Sequence, residues 1–147
     1  PLTGSRKDTD NMDLLKTMTI SASGMDAQGQ RMRVISENLA NKDSMGKTAD
    51  EDPYRRKIIS FRNVLDRETN VTKVKVGRIS EDRTDFDLKF NPSHPAANAD
   101  GYVKMPNVNS LVEMMDMKET QRSYQANLGV IEASKKMIMR TLSILQQ

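Results

Sequence analysis

Met18, Met25, Met32 and Leu39 stand seven residues apart, and so do Met117, Tyr124, Ile131, Ile138 and Leu145. An α-helix brings a side chain back to nearly the same face every two turns, so a sustained interval of seven draws one seam along a helix. Leu14, Ser21, Gln28 and Ile35 supply the intermediate step of the first series, and Gln121, Leu128, Lys135 and Leu142 that of the second. Helices over residues 13–41 and 110–147 would run roughly 44 and 55 Å at the usual rise per residue. The short segment between them is too small to cover such lengths. The seams must therefore bury against each other or against other chains.

Composition narrows the class further. A chain of 147 residues suits one domain or a small composite, which excludes a large multidomain enzyme. Eleven methionines, no tryptophan and 4% aromatic residues favour helix-on-helix packing over an aromatic β core. With no cysteine and His94 as the only histidine, disulfides, zinc ribbons, thiol nucleophiles and two-histidine metal sites are excluded. No apolar run reaches the roughly 20 residues of a membrane span, and the opening PLTGSRKDTDNMDLLK lacks the apolar centre of a cleaved secretory signal.

The chain reads as four segments: residues 1–11, a disordered tail or a scar ahead of an internal start at Met12; residues 12–44, an N-terminal helix; residues 45–109, a β-rich middle; and residues 110–147, a C-terminal helix. On the first helix Leu15, Ala22 and Gly29 form a large, small, absent series, which predicts close backbone approach at Gly29, and the unfavourable helix-interior glycines Gly24 and Gly29 each suggest close packing or a bend. The second helix opens with the pattern Ser110-x-x-Glu113, which predicts a capping box. Strand-like runs occupy residues 54–61, 71–79 and 86–90. Phe86, Leu88 and Phe90 alternate with polar residues as in a half-buried strand, and the opposite parity of Ile79 beyond Gly77 suggests a bulge.

Catalytic and ligand-binding patterns are wanting. Gly24 and Gly29 have the spacing of a phosphate loop, but Gln30 and Arg31 stand where its Lys and Ser/Thr would be. Asp82, Asp85 and Asp87 lack the twelve-residue frame of a calcium loop. His94 has Ser93 beside it, and neighbours in sequence do not form a nucleophile and base. Residues 54–78 carry an excess of positive charge, read as a solvated sheet edge or a contact with an acidic subunit, because no stacking platform or recognition helix for nucleic acid accompanies it.

Three stretches together resemble the axial proteins of the bacterial flagellum. ISASGMDAQGQRMRVISENLANKDS, residues 20–44, is similar to the amino-terminal signature shared by rod and hook proteins. ANADGYVKMPNVN, residues 97–109, is similar to the block of the proximal, C-type branch of the basal-body rod family. RSYQANLGVIEASKKMIMRTLSIL, residues 122–145, resembles the family's carboxy-terminal helix. The resemblance implies a structural protein and not an enzyme, with no cofactor, metal, small-molecule substrate or nucleic acid. It also implies delivery by the flagellar export apparatus to the basal body, across the periplasm and without a cleaved signal, with other rod proteins and copies of itself as partners. Another rod or axial protein is the alternative within the family, and a basic-faced nucleic-acid-binding module the alternative outside it.

The expected fold is α+β: long N- and C-terminal helices packed as a coiled-coil-like module, with a small β-rich insertion between them. The expected assembly interface comprises Met18, Ala22, Met25, Gly29, Met32, Ile35 and Leu39 on the first helix. On the second it comprises Met117, Tyr124, Leu128, Ile131, Ile138, Leu142 and Leu145.

Overall fold

The computed structural model describes residues 3–147, with side chains from Asp8 onward. Helix α1 (Thr3–Ala40) is followed by strands β1 (Lys57–Asp66), β2 (Val71–Glu81), β3 (Asp87–Phe90) and β4 (Tyr102–Met105), and then by helix α2 (Ser110–Leu145). The fold is α+β, two long helices flanking a small insertion of two two-stranded sheets, β1–β2 and β3–β4. The polar start read as a disordered tail is helical from Thr3 on, and residues 1 and 2 lie outside the described residues. Propagation of a helix costs little once the apolar stretch beyond it has nucleated one. Among the described residues no helix is long and apolar enough to cross a membrane.

The chain divides into two compact units, and both helices contribute to each. One unit takes α1 as far as Gln30, the hairpin end Phe61–Gly77, and α2 from Thr120 on. Here the helices run antiparallel, with Gly24 opposite Asn127 and Asn11 and Leu14 beside Thr141 and Ile144. The seam read on α1 holds: Leu14, Met18, Ser21, Met25 and Gln28 are all half-buried or buried. On α2, Tyr124, Ile131 and Ile138 are half-buried as the interval of seven requires, whereas Leu145 is exposed.

The intermediate set on α2 is a correction. Gln121, Leu128, Lys135 and Leu142 are exposed, and the inward positions are Thr120, Asn127, Ser134 and Thr141, one residue earlier. Thr120 is fully buried and Ser134 nearly so. Small polar side chains line this seam because α1 comes close at Gly24. Thr141 returns its hydroxyl to the Met137 carbonyl at 3.0 Å, as helical threonines do when carbonyls are near. The hairpin end lies against α1, where the Val74 N–H donates to Ser23 Oγ at 3.2 Å and Ala27 is buried one turn on. Asn70 sits at φ 51° in the turn, a left-handed conformation that asparagine tolerates. Along β2, Val71 is buried, Val74, Val76 and Ser80 are half-buried, and Ile79 is 50% exposed.

The other unit comprises Arg31–Ser60 and Arg78–Glu119. Its β3 and β4 pair antiparallel, with Asp87 opposite Met105 and Phe90 opposite Tyr102. Strand β4 carries no pattern legible in four residues, yet Val103 is its most buried side chain. The half-buried strand expected at residues 86–90 is corrected for two of its three apolar positions. Leu88 and Phe90 are 61% and 62% exposed. Phe90 packs edge-on to Tyr102, ring centroids 5.3 Å apart, and over Gly101, where a Cβ would sit 2.9 Å from the ring.

Candidate functional site

The second unit is organised around a buried polar clasp. Asn38, near the end of α1, is 1% exposed and has all its amide hydrogen-bonding capacity engaged. Its Nδ2 donates to the Lys57 carbonyl at 2.9 Å and to Glu113 Oε2 at 3.4 Å. Its Oδ1 accepts from the Lys57 N–H at 2.9 Å and from the Tyr54 hydroxyl at 2.8 Å. Glu113, on the first turn of α2, is equally buried, and its Oε1 accepts from Arg56 Nε. Arg56 also reaches Asp82 Oδ2 at 3.3 Å and Asp116 Oδ2 at 3.7 Å, and Asp116 lies 4.0 Å from Arg31.

Backbone polarity is met in the same place. The Arg56 N–H donates to Asn107 Oδ1 at 2.7 Å, while Asn107 Nδ2 donates to the Asp82 carbonyl at 2.9 Å and to Thr84 Oγ1 at 3.0 Å. Burial raises the cost of ionising Tyr54, and Glu37, Glu113 and Glu81 add their negative field, so its phenol is pushed up to about 12. Burial opposes the charge on Arg56, but its bonds to Glu113 and Asp82 outweigh that and raise its pKa. The Thr84 N–H holds the Asp82 carboxyl below the usual carboxylate range against partial burial, with help from the Thr84 hydroxyl and Arg56.

This arrangement corrects several expectations. The predicted capping box does not form: Asn109 caps α2, its Oδ1 accepting from the N–H groups of Leu111 and Val112 at 3.0 and 3.3 Å. Glu113 turns inward instead, because Arg56 and Asn38 offer it charged and amide donors. Much of the basic segment is spoken for. Arg55 donates to the carbonyls of Asp82 and Thr84 and lies 4.2 Å over the Phe86 ring. Lys57 pairs with Glu37 and Lys73 with Asp66. His94 Nδ1 accepts from the Ala96 N–H at 3.0 Å, a local turn contact.

The residues expected at an assembly interface fall into two groups. Met18, Met25, Gly29, Met32, Ile35, Leu39, Met117, Tyr124, Ile131 and Ile138 are half-buried or buried within the single chain. Ala22, Leu128, Leu142 and Leu145 are exposed. The close approach expected at Gly29 is corrected: Leu15 is exposed and a Cβ on Gly29 meets nothing within 4 Å, whereas one on Gly24 would lie 2.9 Å from Asn127 Nδ2.

The sequence reading missed Leu111, Met114 and Met115, an apolar group on the outer side of the first turns of α2, with Leu111 and Met115 68% and 64% exposed. Farther along, Met137, Met139, Leu142 and Ile144 are also open to solvent. Leu111, Met115, Met137, Met139, Leu142 and Ile144 are each more than half exposed, an unusual amount of large apolar surface for one helix. A signal for it was present: apolar residues occur outside the interval of seven on α2, more than one seam accommodates.

A family model described as flagellar basal body rod FlgEFG protein C-terminal matches residues 99–144. The chain is similar to the flagellar basal-body rod protein FlgC of Agrobacterium fabrum, 46% identical over 127 residues that cover 86% of this chain and 91% of that protein. The protein of the same name in Bacillus subtilis is 40% identical, with 90% of this chain and 99% of that one covered. Its counterpart in Salmonella typhimurium is 38% identical, at 90% and 98% coverage.

Proposed function

The chain belongs to the flagellar basal-body rod protein FlgC family, and we propose from that membership that it is a subunit of the proximal rod, the shaft that carries motor torque to the hook. It reaches the basal body through the flagellar export apparatus and takes its place in a structure that crosses the periplasm. Its partners are other rod proteins and copies of itself, and it performs no catalysis. The two long helices do the assembling: their inner seams hold the chain together, and their outer faces bury against neighbours.

The observation that supports this reading is the exposed apolar surface of α2, with Met137 55% and Leu142 51% exposed in the single chain. An isolated chain gains nothing from leucine and methionine in those places, while a helix wrapped by other helices gains about 1.5–3 kcal/mol for each such side chain fully buried. The test separates outer face from inner seam. Leu142→Asp should leave the thermal unfolding of the free subunit unchanged and abolish its incorporation into basal bodies, whereas Ile131→Asp should lower both. Wild-type swimming by a strain carrying only Leu142→Asp would refute assembly through this face.

A further inference from the structure

We propose that the end of the β1–β2 hairpin docks the acidic loop of a second copy of this chain, an inference that rests on the rod reading above and assigns it one specific contact. Within residues 61–77, Lys73 and Asp66 neutralise each other. Arg62, Arg67 and Lys75 are exposed there, opposed by the exposed Glu68. Leu65, 56% exposed, places an apolar side chain among these cations. This is the part of the basic segment that the clasp and the ion pairs leave outward.

Its complement lies in the loop after α1, where Asp50, Glu51 and Asp52 follow one another and all are exposed. Asp52 shares its charge with Lys104 at 3.1 Å, a pair that is itself largely exposed. The loop is held in one shape. The Lys47 N–H donates to Glu51 Oε2 at 2.8 Å and the Glu51 N–H to the Thr48 carbonyl at 3.2 Å. A Cβ on Gly46 would lie 2.3 Å from the Glu51 carbonyl oxygen, so the two sides of the loop touch. At the hairpin end, Asp66 Oδ1 accepts from the Glu68 N–H at 3.0 Å and fixes the turn. Two exposed turns of opposite charge, each tied by its own hydrogen bonds, lose little conformational entropy on meeting.

The two patches are different surfaces of one chain, so the contact is heterologous: each copy offers its hairpin to one neighbour and its loop to another. Such a contact propagates into an open array unless its rotation closes a ring, which is the symmetry a rod requires.

The chain has no cysteine, so single introduced thiols report contact cleanly. Asp50→Cys and Arg67→Cys copies, expressed together, should give a disulfide-linked dimer in isolated basal bodies under a mild oxidant, and neither alone should. Separately, Asp50→Lys and Arg67→Glu should each lower incorporation roughly two- to fivefold, and the variant carrying both should recover it. Basal bodies that contain both cysteine copies yet yield no linked dimer overturn the docking. So does a double charge swap incorporated no better than either single one. Both results leave the rod reading standing, whereas absence of the wild-type chain from basal bodies would remove the rod reading and the docking together.

Discussion

The side-chain amide of Asn38 pairs with the backbone of Lys57 as a neighbouring strand would, donating to its carbonyl and accepting from its N–H, each at 2.9 Å. A helix residue thereby anchors the first residue of β1. Asn38→Asp keeps the size, loses the donor and sets a second carboxylate beside Glu113. A stability loss of about 3 kcal/mol is expected, from a buried group left unsatisfied and a like charge nearby. Urea unfolding of the free subunit reads it, and an unchanged midpoint would show that the pairing is dispensable.

Arg56 and Glu113 form the charged centre of the clasp, with the carboxylate the more deeply buried of the two. Removing only the cation, in Arg56→Met, should be the most damaging change, on the order of 3 kcal/mol, since the carboxylate remains buried without its partner. Arg56→Met combined with Glu113→Leu should cost clearly less than the two single changes added together. Strict additivity in a double-mutant cycle would count against a coupled pair.

Gly24 and Gly29 should respond in opposite ways. Gly29→Ala should stabilise α1 by roughly 0.5–1 kcal/mol, because alanine is the better helix former and nothing lies within 4 Å of its added carbon. Gly24→Leu should destabilise by about 1–3 kcal/mol, because its Cβ would already lie 2.9 Å from Asn127 Nδ2 and the longer side chain must displace that amide. Thermal unfolding of the two variants decides the matter, and equal midpoints would place Gly24 away from α2.

Stability should fall on both sides of neutrality through identifiable groups. The Tyr54 phenol ionises near 10 in the unfolded chain and at about 12 in the folded one. A pKa raised by folding contributes stability that is complete below pH 10 and lost as pH climbs from about 10 to 12. Unfolding midpoints of the wild type should therefore drop more steeply across that interval than those of Tyr54→Phe. Asp82 works in the opposite sense: its pKa is lowered in the folded chain, so its contribution is present above the ordinary carboxylate range and disappears as pH falls through its folded value. Asp82→Asn should flatten that acid limb and leave the alkaline one unchanged.

What was legible in the sequence was local. A recurrence of seven specifies a line on a helix whatever the helix touches, and the α1 seam through Met18, Met25, Met32 and Ile35 follows from it directly. Loops announced themselves by glycine, proline and asparagine, and strand-like runs at residues 54–61, 71–79 and 86–90 foreshadowed β1, β2 and β3. The family was legible because its motifs are runs of adjacent residues. Catalysis was disfavoured by the residue types alone.

Partners distant in sequence decided the rest. Whether Leu128 or Asn127 faces inward depends on how α1 meets α2, and where a hydrophobicity pattern prefers leucine it is Asn127 that stands opposite Gly24. Glu113 reads as a cap until Arg56, 57 positions earlier, draws it inward. Asn38 looks like one polar residue among several in ENLAN, and its burial depends on a strand that begins 19 residues later. Sequence periodicity fixes which residues share a face. Only the folded chain decides which face is covered, because the surface that covers it belongs to another segment.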